Sequence, residues 1–337
     1  MALLDATLAL IQAEYKKPEV TWRSAPINAK ELAFLERECT KTVEFDPQGW
    51  RKEMFQRYKR GGRMEVRECD YGRVVVLYHN DDQTVPWGLW GRILRLYGVN
   101  ACIYFLAHPA LRQFPKGTIR INNVSASYPI GPIHINGGYN YPCNAKEVMI
   151  YRAEDATRVL LHELQHASCL DSTPEGRGIL SRGTRETEPT PEQRGILSSG
   201  KRENHDHGTD ALEAETEAWA ELLYAGVLSQ GKRSVFLQLV QEQAAWFIEQ
   251  NEQVKQHMKT PTQFPYRYTI AKEAVWRRWG IRDLAAKPPK AAQAQHSLRL
   301  AAHTSGAASP QHSLRLTPPP SAALKRIFGV RPDSTIL

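Results

Sequence analysis

Leu161-His162-Glu163-Leu164-Gln165-His166-Ala167 carries the pattern H-E-x-x-H inside a run, Ala153 to Leu170, whose apolar residues recur at helical spacing. On a helix His162 and His166 are four apart, so their imidazoles lie on one face, one turn above the other, and can reach a single metal ion. Glu163 projects about 100° round the axis, where its carboxylate can meet a metal-bound water without displacing a histidine. Leu160, Leu164 and Ala167 lie roughly opposite the histidines. Such a segment must pack one side on a core and turn the other to a cleft, which requires a helix embedded in a larger domain. Composition alone can supply the pattern, so its surroundings must carry the case.

At 337 residues the chain can bury the necessary core as one large domain or two modest ones. No stretch approaches the roughly 18 apolar residues of a membrane span. The opening run, Met1 to Lys17, includes Asp5 and Glu14 and lacks a basic head or a small-residue cleavage site, so it reads as an amphipathic helix and not a signal peptide. Five scattered cysteines, none in C-x-x-C spacing, suggest reduced thiols and an intracellular, cytoplasmic location, with Cys102, Cys143 and Cys169 expected as packing.

Net charge is +8, but +6 of it lies in the last 54 residues, where seven basic side chains meet one acid. The basicity belongs to the tail. A solvated tail is the plain reading, and a weak tether to an anionic partner, nucleic acid or membrane surface, is the alternative.

Further helices are expected at Ala29 to Thr42, capped by Asn28, and at Trp87 to Tyr97, with a hairpin over Arg63 to His79 turning at Asp70-Tyr71-Gly72. Ala101 to Ala107 reads as a buried strand, Thr118 to Val124 and Ile130 to Ile135 as two more, Asn136 to Asn140 as a turn, and Glu147 to Tyr151 as a short strand before the H-E-x-x-H helix. From Ser172 to Asp206 the composition shifts to Pro, Glu, Gly, Arg, Thr and Ser, and Pro174 to Ser181 returns in altered form as Pro191 to Ser198. Residues 172–208 are therefore expected to be a disordered insertion. Helices resume at Asp210 to Leu228, Ser234 to Lys259 and after the aromatic turn Phe264 to Tyr268. The expected domain is 1–283, followed by a low-complexity basic tail, 284–337, that stays outside the fold.

Two histidines do not complete a catalytic zinc site, which takes three protein ligands and a water. The compact pattern H-E-x-x-H-x-x-G-x-x-H is excluded, because Cys169 and Ser172 occupy its last two places. On the next helix Glu213, Glu217 and Glu221 line up at four-residue spacing, opposite Leu212, Trp219, Leu222 and Leu223. Glu217 is the favoured third ligand, with Glu221 supporting a histidine N–H. Glu213, His205 and His207 are the alternative ligands, and an ordinary acidic helix facing solvent is the plain reading.

From Glu147 to Leu223 the chain resembles the gluzincin class of zinc metallopeptidases, in which H-E-x-x-H on one helix is joined by E-x-x-x-D or E-x-x-x-E on a later one. The resemblance implies an α+β, zincin-like fold: a small mixed sheet packed on a metal-binding helix, with additional helices before and after. It implies one Zn²⁺ per chain held by His162, His166 and Glu217, Glu163 as general base, Glu221 as support, and a peptide or protein substrate. Bound zinc lowers the pKa of its water from about 15.7 to near 7, and Glu163 takes the proton as that water attacks a carbonyl. A His or Tyr from elsewhere usually steadies the oxyanion in this class; His205, His207, Tyr224, Tyr266 and Tyr268 are the candidates. Either Glu147 to Tyr151 or Ile133 to Tyr141 is expected to be the edge that pairs with an extended substrate. A catalytically silent zincin fold acting as an interaction module, and a nucleic-acid-binding protein, are the readings from other classes.

Overall fold

The computed structural model describes residues 2–43, 46, 48–110, 135–170, 207–255, 266 and 268–281, without the side chains of residues 2, 207–211, 249, 250, 253 and 254. The expected strands at Thr118 to Val124 and Ile130 to Ile135 lie outside them except for Ile135, as do the insertion up to residue 206, with His205, and the basic tail; the last two residues expected in the insertion, 207 and 208, instead begin a helix. The described elements are α1 (Ala2–Tyr15), β1 (Arg23–Ser24), α2 (Ala29–Thr40), α3 (Trp50–Lys59), β2 (Met64–Cys69), β3 (Gly72–Tyr78), α4 (Trp87–Tyr97), β4 (Ala101–Ala107), β5 (Gly138–Tyr139), β6 (Val148–Ile150), α5 (Ala156–Ala167), α6 (His207–Leu228), α7 (Arg233–Lys255) and α8 (Ile270–Arg278). This is a mixed α+β architecture, as the sequence suggests. No helix among the described residues is long and apolar enough to cross a membrane.

Six strands form one sheet in the order β1-β2-β3-β4-β6-β5. The hairpin β2–β3 is antiparallel, β3, β4 and β6 run parallel, and β5 turns back antiparallel on β6. A strand sends alternate side chains to opposite faces, and here both faces are apolar. Val74, Val76, Ile103, Phe105, Val148 and Ile150 point to one core, and Val75, Leu77, Tyr104, Leu106 and Met149 to the other. The sheet is therefore covered on both sides, as its parallel centre requires. α2 and α3 cover one face with Phe34, Leu35, Met54 and Phe55; α4 and α5 cover the other with Trp90, Ile93, Leu94, Leu160 and Leu164. Gly72 starts β3 where a Cβ would stand 2.6 Å from the Ala101 carbonyl oxygen, so the parallel pair can close only on glycine.

The helix starts and stops follow local chemistry. α2 opens with a capping box in which Asn28 accepts from the Glu31 N–H and Glu31 accepts from the Asn28 N–H, both at 2.9 Å. α3 was not evident in the sequence, because its inward face carries Arg51 beside Met54 and Phe55 and so breaks the apolar pattern. Arg51 is buried against Asp46 at 2.9 Å, and donates to the Tyr139 hydroxyl at 2.7 Å, which tethers β5. α6 is enclosed by α1, α5, α7 and α8. The Trp276 indole N–H donates to the Ala218 carbonyl at 2.9 Å, fixing α8 across it.

Two expectations need correction. Asn136 to Asn140 is not all turn, since Gly138 and Tyr139 pair with Ile150 and Met149 as β5; two residues are too few to show alternation. The cysteines are not all reduced: Cys143 and Cys169 form a disulfide, with Cα atoms 4.7 Å apart, because the loop after β5 folds onto the end of α5. Cys39, Cys69 and Cys102 are free thiols.

Candidate metal centre

α5 is held in register before its polar face is considered. The Trp90 indole donates to Thr157 at 3.0 Å, the Tyr97 hydroxyl to the Leu161 carbonyl at 2.9 Å, and the Gln165 amide to the Thr216 carbonyl at 3.2 Å. With Leu160 and Leu164 locked in the core, His162 and His166 face α6, as the wheel position of these residues requires. The two Nε2 atoms lie 3.0 Å apart.

The acidic helix orders its carboxylates differently from the sequence reading. Glu213 reaches Nε2 of His162 at 3.2 Å and Nε2 of His166 at 3.3 Å. His162, His166 and Glu213 can thus bring their ligand atoms within 4.8 Å of one another, the one such group among the described residues. Glu217, the favoured third ligand, lies on the far side of the ring, 3.2 Å from Nδ1 of His162. It is also 2.8 Å from Arg158 and 3.8 Å from Lys272. Glu221 is displaced one turn further and pairs with Lys272 at 3.0 Å and Arg158 at 3.8 Å, touching no histidine. The reason is the docking register of the two helices. Arg158, His162 and His166 climb α5 while Glu221, Glu217 and Glu213 descend α6, so the acidic triplet meets the histidines one turn earlier than assumed.

Both helix faces are buried, which removes the solvent-facing reading of α6. Glu215, Thr216, Glu217 and Glu221 are all under a tenth exposed, alongside Trp219, Leu222 and Leu223. Leu212, expected on the apolar side, instead lines the cleft. Burial opposes the charged form of each site residue, but the partners decide the outcome. For Glu213 burial is outweighed by His162 and His166, and its pKa lies well below the usual carboxylate range. For Glu217 burial is outweighed by Arg158 and then His162, again leaving an ionised carboxylate. For His162 burial is outweighed by Glu213 and Glu217, which hold the imidazole well above its ordinary value. Glu163 differs: burial dominates, only partly offset by the two histidines, and its carboxyl is pushed up to about 7.

Glu163 sits against β5, where a Cβ on Gly138 would stand 3.0 Å from its Oε1, 2.8 Å from the Met149 carbonyl oxygen and 2.6 Å from Val159 Cγ1. The glycine is what lets strand and carboxylate approach. Between β5 and the two helices opens a cleft of about 430 Å³ lined by His162, Glu163, His166, Glu213, Glu217 and Arg158 on one side and residues 135–140 with Pro142 on the other. β5 is the outermost strand of the described sheet on that side, whereas the Glu147 to Tyr151 segment is flanked by β4 and β5. Of the expected oxyanion donors, Tyr268 lines the cleft. Tyr224 is buried close enough to Arg158 to act on its charge, and Tyr266 is half-buried outside the cleft lining. The side chain of His207 lies outside the described residues.

Arg158 and Lys272 were missed as site residues. Arg158 had a signal, since it stands four before His162 and so shares its face; Lys272 had none, because only the tertiary fold brings α8 to α6. Comparison of the chain with protein-family models, curated proteins and solved structures gives no match.

Proposed function

We propose that the cleft is a zinc site that hydrolyses peptide bonds, carried on a zincin-like fold. The observation behind this reading is the convergence of His162, His166 and Glu213 on one point beside the buried carboxyl of Glu163. Donors about 2.1 Å from a tetrahedral zinc stand about 3.4 Å apart; here the two Nε2 atoms are 3.0 Å apart, and each meets a different oxygen of Glu213, at 3.2 and 3.3 Å. Two imidazoles and one carboxylate are also the donor types of catalytic zinc sites. Glu213 therefore replaces Glu217 as the proposed third ligand, and Glu217 takes the supporting place first given to Glu221. The E-x-x-x-E spacing is kept, moved back by one turn.

Zinc bound there supplies Lewis acidity and makes water a nucleophile near neutral pH. The protein does the rest. Glu163 accepts the water proton and delivers it to the leaving amine, a role suited to a carboxyl whose pKa burial has raised to about 7. Glu217 stands 3.2 Å from Nδ1 of His162, and its negative charge favours the tautomer with the proton on Nδ1, which leaves the Nε2 lone pair for the ion. Tyr268, which lines the cleft, is the proposed donor to the developing oxyanion. An extended peptide would pair with the outer side of β5, the outermost strand on that side among the described residues, a contact through main chain that imposes little sequence preference.

The test is zinc content and hydrolysis of an unfolded protein, measured on the wild type and on Glu163→Gln. Zinc in both with cleavage by the wild type alone is the expected result. Zinc without cleavage in the wild type would favour the silent interaction module, and no zinc would end the metal reading.

A further inference from the structure

The free cysteines and the bonded pair occupy different chemical settings. Cys39 and Cys69 are buried and Cys102 is half-buried. Burial pushes the thiols of Cys39 and Cys102 up to about 12 and about 11 and raises that of Cys69, so these three stay protonated and inert. Cys143, by contrast, is exposed, and its disulfide partner Cys169 is half-buried. An exposed disulfide is the accessible kind, open to exchange.

Its position matters more than its exposure. Cys143 lies in the loop between β5 and β6, and Asn140 and Pro142 of that loop wall the cleft. Cys169 follows His166 by three residues, just past the end of α5. The His166 carbonyl accepts from the Cys143 N–H at 2.9 Å and from the Cys169 N–H at 3.1 Å. The peptide group of a proposed ligand is thus gripped by the backbones of both bonded cysteines. On its far side the loop has separate anchors: the Ala145 carbonyl accepts from the Cys102 N–H at 2.7 Å, Lys146 donates to the Asn100 carbonyl at 2.7 Å, and Arg37 pairs with Glu147 at 3.2 Å. Cutting the disulfide therefore removes the covalent tie between the part of the loop that walls the cleft and the end of α5, and leaves the anchors on the far side in place.

We infer that the Cys143–Cys169 disulfide is a redox latch on the metal site, an inference that rests on the zinc reading above: a dithiol reductant opens the latch, and the site loosens its hold on the ion. A thiolate of the reductant attacks Sγ of the exposed Cys143, the S–S bond breaks, and Cys169 leaves as a thiolate that takes up a proton. The second thiol of the reductant then displaces Cys143 from the mixed disulfide. Two electrons and two protons pass to the protein, which gains two thiols, and the reductant ends as a disulfide. With the latch open, the His166 carbonyl loses the covalent brace behind both of its hydrogen bonds, and the orientation of the imidazole is less tightly fixed.

The experiment uses the full chain purified in air and loaded with zinc. Mass spectrometry without reduction should find Cys143 and Cys169 linked. Zinc transfer to a chromogenic chelator is then timed before and after a water-soluble phosphine, which reduces the bond without offering a thiol to the metal. Release on the order of tenfold faster after reduction is expected, the scale of effect seen when support around a ligand is lost. Cys143→Ser/Cys169→Ser should release zinc at the fast rate with or without phosphine, and Cys102→Ser should behave as the wild type. Equal release before and after reduction, or free thiols at 143 and 169 in the air-purified protein, overturns the latch while leaving the zinc reading intact. An oxidised protein that binds no zinc overturns the zinc reading, and the latch with it.

Discussion

Glu217 stands 3.2 Å from Nδ1 of His162, across the ring from Glu213, which stands 3.2 Å from Nε2. One imidazole is thus addressed by two carboxylates from successive turns of α6, and their roles separate by mutation. Glu213→Ala should abolish zinc binding, because two histidines alone remain. Glu217→Gln should keep one zinc per chain at saturation but weaken it by roughly 10- to 100-fold, the usual cost of losing the group behind a ligand. Competition titration against a chelator measures both. Full affinity in Glu213→Ala would refute the ligand set.

Replacing Glu163 by Gln should leave zinc affinity within a few fold and lower hydrolysis by about a thousandfold, within the range for loss of a general base. The pH profile gives a second readout. Glu163 works as a base only when ionised, so the wild-type rate should fall as acid protonates it. Its pKa of about 7 belongs to the protein alone; a cation beside it favours the ionised form and moves this limb below 7. A rate that rises toward acid would contradict the assignment.

Gly138→Ala tests the contact between β5 and the candidate base. The added methyl meets Val159 Cγ1 at 2.6 Å, the Met149 carbonyl oxygen at 2.8 Å and Glu163 Oε1 at 3.0 Å. Two of these neighbours are core or backbone and cannot swing away, so the variant should lose about 1–3 kcal/mol of stability. Because the third is Glu163, hydrolysis should fall by more than the unfolded fraction accounts for. Urea denaturation combined with activity at constant folded fraction distinguishes the two effects.

Glu215 should give stability a pH dependence of its own. It lies on α6 with its side chain buried, and burial, partly offset by Arg278, pushes its carboxyl from 4.5 up to about 7. The folded pKa is raised, so the unfolded chain ionises first. This group's penalty is therefore absent below pH 4.5, grows up to about pH 7 and is constant above it, reaching on the order of 3 kcal/mol. Glu215→Gln should be more stable than the wild type at pH 7.5 and no more stable at pH 4. Urea unfolding at both values checks the difference; an equal offset at both would show that the shift is not the cause.

The core was legible in the sequence wherever a period was long enough to read. The β2–β3 hairpin, the buried strand Ala101 to Ala107 and the α5 stripe all stand where alternation or helical spacing puts them. The elements not evident were those whose inward residues are polar or few: α3 with Arg51 inside, and β1 and β5 with two residues each. At the site, H-E-x-x-H located α5 and its orientation, but not which glutamate of α6 meets both histidines. Equal four-residue spacing makes Glu213, Glu217 and Glu221 equivalent in sequence, and only the crossing point of α5 on α6 distinguishes them. The disulfide was likewise invisible, since neither the spacing of Cys143 and Cys169 nor the odd count suggests a pair. Proximity came from the hairpin loop folding back over the end of α5.

The opposed rows on α5 and α6 have a consequence for assembly. Read along the contact, Arg158 meets Glu217 and Glu221, His162 meets Glu213 and Glu217, and His166 meets Glu213. Sliding α6 by one turn in either direction would strand a buried charge at one end, at a cost of several kcal/mol. Leucine and alanine on these helices would accept such a slip with little penalty. The six polar residues therefore act as a key that admits one alignment of the helix pair, so the docking of α5 on α6 decides which side chains of the two helices meet.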